Sequence, residues 1–168
     1  MKIIKIIIFL LLGYIFSTGD VLSCNFNFKS FGSSPEVQSS IVPGLQLKDK
    51  QNNIIITVPI ENFCSEEDLK GTAVTFLYIE NGLAKITIER HNFNDRNILK
   101  YAIVQFGDFK RSKAIEDSKW TGSHFWNLNF QIVAYVAVHN SINRLEKIEL
   151  TSALYANKIM SDSTQLEK

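Results

Sequence analysis

The chain has 168 residues, with 18 Lys and Arg against 17 Asp and Glu, three His and two Cys. A balance so near neutrality excludes a nucleic acid or a strongly acidic surface as the main partner. The length suits one domain able to bury a core without a metal to hold it together.

Lys2 and Lys5 precede an apolar run over Ile6–Phe16, and small residues follow at Ser17 and Gly19. That three-part layout is an export signal. The run is short for the roughly 30 Å hydrocarbon core of a bilayer. Residues 1–19 are therefore expected to be a cleaved signal peptide, and the mature protein to be periplasmic or secreted. No membrane insertion of the mature domain is expected, because Phe125–Val138 carries Asn127, Asn129 and Gln131. An even cysteine count in an oxidising compartment favours a disulfide between Cys24 and Cys64. The alternative places cleavage after Ser23, leaving Cys24 first. This resembles a bacterial lipoprotein signal and implies a lipid anchor through Cys24.

Asn25–Phe31 alternates Phe26 and Phe28 and predicts a first strand, broken at Gly32–Pro35. Pro43-Gly44 is a turn, Leu45–Leu47 a short strand and Asp49–Asn53 a polar turn. Ile54–Ile60 is β-branched, with Pro59 confining its end to an edge or bulge. Ser65 begins a segment able to cap one helical turn. Asn81-Gly82 predicts a two-residue hairpin turn within Thr72–Arg90. In that register Leu77 faces Ile86, and Leu77, Ile79, Ile86 and Ile88 share the buried face. His91–Asn97 is a polar turn and Leu99–Phe106 reads as the next strand. Phe109–Gly122 is a rim loop or crossover.

Phe125–His139 reads as one long strand whose even positions, Trp126 through Val138, face the core. Glu146–Tyr155 is the last strand, with Ile148, Leu150, Ser152 and Leu154 inward. Residues 156–168 are expected to fray. The reading is an all-β protein: an antiparallel β-sandwich of about seven strands, of immunoglobulin-like size, over residues 20–155, with a closed barrel as the alternative.

No catalytic constellation emerges. His91, His124 and His139 lack a paired ligand spacing, and His124 and His139 fall at opposite ends of the predicted long strand. The clusters Glu66-Glu67-Asp68 and Glu116-Asp117 lack the alternation of a calcium loop. There is no G-x-S-x-G serine and no glycine-rich phosphate cradle. The expectation is no catalytic residue, no metal and no cofactor. The candidate binding surface is Lys110, Arg111, Lys113, Lys119 and Trp120, where cations interleave with aromatics in a form suited to a protein or glycan partner. The expected function is that of an exported, non-enzymatic interaction protein. One alternative is a structural component acting by edge-strand addition. The other is an enzyme whose groups, among them Glu116, Asp117, His124 and His139, meet only in the fold.

Overall fold

A computed structural model describes residues 31–35, 45–62, 64, 66–111, 119–140 and 144–165. Its strands are β1 (Leu45–Lys48), β2 (Ile54–Pro59), β3 (Ala73–Ile79), β4 (Gly82–His91), β5 (Gly122–Leu128), β6 (Gln131–His139) and β7 (Arg144–Ser152). Helix α1 (Asn97–Phe106) lies between β4 and β5, helix α2 (Ala156–Gln165) follows β7, and short 3-10 turns occupy Ile60–Asn62 and Glu67–Leu69.

All seven strands belong to one open antiparallel sheet, in the order β1-β2-β3-β4-β7-β6-β5. The expected sandwich, and the barrel beside it, are therefore wrong. Strand number and turn spacing are the same for one sheet as for two; what differs is which strand hydrogen-bonds to which. Here β1 to β4 run as one meander and β5 to β7 as another, and β4 pairs with β7 through seven residue pairs from Lys85↔Thr151 to His91↔Leu145. The second layer is helical. Leu99–Phe106, expected as a strand, belongs to α1, whose buried residues Ile98, Leu99, Tyr101 and Ala102 follow the 3.6-residue phase of a helix face. Val104, at the opposite phase, is 81% exposed.

The core lies between the inner sheet face and this helical layer, and includes Val74, Phe76, Tyr78, Ile86, Ile88, Val133, Tyr135, Ile148 and Leu150. The outer face of the sheet is half-exposed. It carries Thr57, Thr75 and Thr87 in one row, with the Thr57 and Thr75 hydroxyls 3.0 Å apart, and a charged stripe in which Lys85 and Lys147 both pair with Glu149.

Two registers differ from expectation. In the β3–β4 hairpin the turn residues are Glu80 and Asn81, both at positive φ (52° and 63°), and Ile79 pairs with Gly82. Beyond an irregularity at Leu77/Tyr78, Phe76 pairs with Ile86 and Leu77 with Lys85. Because strand side chains alternate faces, the slip puts Phe76 and Tyr78 inside and Leu77 on the outer face. The second difference is that Phe125–His139 is no single strand. It folds back at Asn129-Phe130, so that Leu128 pairs with Gln131. The turn inverts the phase: Trp126 is buried in β5, but Gln131, Val133, Tyr135 and Ala137 are the buried positions of β6. At the C-terminal end of β7, Leu154 lies past the strand and is 87% exposed.

No disulfide joins two described residues, yet Cys64 is disulfide-bonded. Cys64 is buried and is not a free thiol. Cys24 lies outside the described residues, as do residues 1–19, on which the export signal rests.

Candidate functional site

Past α1 the chain enters the rim that joins helix and sheet, and aromatic rings organise it. Phe109 is the hub. His124 stacks on it with centroids 4.1 Å apart and planes 4° apart, while Trp120 and Trp126 meet it edge-on at 5.6 and 5.5 Å. Trp126 is 9% exposed and its indole N–H donates to the Gly107 carbonyl at 3.1 Å, pinning β5 to the end of α1. Trp120 is half-buried. Its ring lies over Gly122, where a Cβ would come within 2.7 Å of it, and stacks on Tyr135 with centroids 6.0 Å apart.

The residues expected to bind a partner divide accordingly. Arg111 places its guanidinium 4.7 Å from the Phe109 centroid and pairs with Asp108 at 2.6 Å, so its charge is held against the rim. The Phe109 amide, and after it the Arg111 contact, hold the Asp108 carboxyl below the usual carboxylate range. Burial in the ring stack, followed by the Arg111 charge, lowers the His124 pKa. Lys110 and Lys119 are exposed beside the rings. Lys113 lies outside the described residues, as do Glu116 and Asp117.

Folding Phe125–His139 into a hairpin also moves the histidines. His124 pairs with Tyr135, and the His139 amide donates to Thr121 Oγ1 at 3.1 Å. They therefore lie along one side of the hairpin and not at opposite ends of a rod. Among the described residues no group of three His, Cys, Asp or Glu is placed to hold a metal.

Behind the rim is a buried polar centre that the sequence did not announce. Glu146, on β7, is 3% exposed. Its Oε1 accepts the Leu99 amide of the first turn of α1 at 2.7 Å and the Tyr135 hydroxyl at 3.0 Å. A strand carboxylate thus does the work of a helix cap. Arg96, 6% exposed, donates to the carbonyls of Trp120 at 3.1 Å and Leu145 at 3.5 Å. Burial raises the Glu146 pKa against the opposing pull of the Leu99 amide, the Tyr135 hydroxyl and Arg96. This network ties α1, the rim and two strands together.

An apolar surface lies next to the rim, and it includes Leu128, Phe130 and Ile132, which the even-position reading placed on the core face. Phe125 is 62% exposed, Phe130 61%, Leu128 37% and Ile132 36%. Residues 127–131 line a shallow depression of about 390 Å³, and Gln131 Oε1 is buried with no hydrogen-bond partner among the described residues. The missed signal was Asn129, a polar residue in the apolar run at the place where the turn forms. From Trp120 to Asn143 the sequence has no Asp, Glu, Lys or Arg. Set against known protein families, characterised proteins and solved structures, the chain matches none.

Proposed function

We propose that the protein is a non-enzymatic interaction protein that engages its partner along the β5 side of the sheet. The observation that carries this reading is the gathering of exposed Phe125, Leu128, Phe130 and Ile132 on and beside an edge strand. Scattered exposed apolar residues need no explanation, whereas Phe125 and Ile132 lie on the outer face and Leu128 and Phe130 at the hairpin end, all along one edge, and such crowding supports an interaction surface. Lys110 and Lys119 are exposed in the segments that lead into β5, where charges steer encounter more than they add affinity. The sequence of residues 1–19 supports an exported protein, which would meet this partner outside the cytoplasm.

The test compares capture of binding partners by the wild-type protein with capture by Phe125→Glu and by Lys110→Glu combined with Lys119→Glu. Phe125→Glu is expected to lose capture with a melting temperature close to wild type, since the side chain is mostly in water. The double lysine variant is expected to bind more slowly and with a changed salt dependence. Undiminished capture by Phe125→Glu would overturn the reading.

A further inference from the structure

The two edges of the sheet are built differently. β1 is four residues long, ends in Lys48 and is followed by Asp49 and Lys50. Shortness and charge are the usual means of protecting an edge. β5 has seven residues, no proline, no Asp, Glu, Lys or Arg, and an unbroken register with β6. Among the described residues it pairs on one side only. On its other side no described residue pairs with the backbone donors and acceptors at strand spacing, which another strand satisfies in full.

The chemistry of β5 identifies which strand fits. About Phe125 the sequence Ser-His-Phe-Trp-Asn reads alike in both directions: polar, aromatic, aromatic, aromatic, polar. An antiparallel copy related by a two-fold axis at Phe125 sets Phe125 opposite its own equivalent. Ser123 then faces Asn127 on the outer face, and His124 faces Trp126 on the inner face. From 123 to 127 each cross-strand pair joins like chemistry, Gly122 faces Leu128 beyond them, and no pair brings two like charges together. An isologous contact also closes after two copies, whereas pairing β5 with β1 of another copy would propagate without end.

We propose that β5 is the contact strand of a homodimer, pairing antiparallel with β5 of a second copy about Phe125 and making one continuous sheet of the two. This inference rests on the reading of the β5 side as the interaction surface and names its partner as a second copy of the chain.

The experiment uses the protein as purified from the expressing cell. Sedimentation equilibrium of the wild type is expected to give a monomer–dimer equilibrium, and Phe125→Lys, which sets two cations face to face at the axis, a monomer. Cysteine cross-linking then reads the register, with the wild type under the same oxidant as control. Paired Cα atoms about 4.5–5.5 Å apart lie within disulfide reach. Phe125→Cys is therefore expected to cross-link to itself. Ser123→Cys is expected not to, but to cross-link when mixed with Asn127→Cys. A wild type that stays monomeric, or that grows into a concentration-dependent ladder, overturns the dimer. So does a dimer that persists in Phe125→Lys, or self-linking by Ser123→Cys. If the wild type is monomeric and Phe125→Glu still loses capture of another protein, the homodimer fails while the β5 interaction surface stands. If Phe125→Glu also captures normally, both fail.

Discussion

Glu146 sits where helix meets sheet, and its energetics can be worked out from its partners. Replacing it with alanine strands the Leu99 amide and the Tyr135 hydroxyl in the core. An unsatisfied buried donor costs about 1–3 kcal/mol, so Glu146→Ala is expected to be among the most damaging single changes, measurable by denaturant unfolding. The pH dependence follows from the direction of the pKa shift. A carboxyl whose pKa is raised in the fold above its ordinary value of 4.5 keeps its proton longer in the native state than in the unfolded one. Its contribution is full below the ordinary value and is lost as pH rises through the folded value. Glu146→Gln should therefore flatten the fall in stability on going from acid toward neutral pH, as melting temperature against pH will record. Tyr78 offers the converse case. Its ring is fully buried, its hydroxyl has no hydrogen-bond partner among the described residues, and burial pushes its pKa up to about 12. Tyr78→Phe removes a desolvated group that gains nothing in return, and should stabilise the fold by about 1 kcal/mol.

Among the elements, the β3–β4 hairpin separates what the sequence specifies from what it leaves open. The hairpin itself is legible, because Asn81-Gly82 sits between β-rich runs. Its register is not, because Glu80-Asn81 also forms a two-residue turn once Glu80 accepts a positive φ. Both registers put Ile86 and Ile88 inside, and only the β3 partner changes. Phe76→Ala should therefore cost about 3–5 kcal/mol and Leu77→Ala well under half as much; equal losses in urea unfolding would contradict the observed faces. The β5–β6 hairpin fails to read for a related reason. Alternation continues through Asn129 without a glycine or proline to stop it, so a turn passes for a strand. In α1 the run Leu99–Phe106 holds apolar residues at both periods, and only its packing on β7 selects the helix. The candidate rim was legible in its residue types. Its anchoring was not, because Arg96, Glu146 and Tyr135 are brought together from distant stretches of the chain.

At the scale of the whole molecule the sheet consists of two local meanders, each pairing strands adjacent in sequence, joined along β4 and β7. Side-chain ties cross the same boundary: Leu99 to Glu146, Arg96 to Leu145 and Trp120, and Trp126 to Gly107. The backbone connection between the halves leaves α1 through Gly107–Lys110, which is irregular and mostly exposed. Cutting one exposed peptide bond there removes none of those contacts and adds only the entropy of holding two chains together. Cleaved at Lys110, the protein is expected to remain as a non-covalent pair of fragments that elutes as one species and separates only in denaturant. Produced apart and mixed, the fragments should re-form the sheet, with recovery of the Trp126 near-ultraviolet signal as the readout. The β4–β7 junction thus makes the chain divisible into two complementing halves, neither of which has a finished edge until it finds the other.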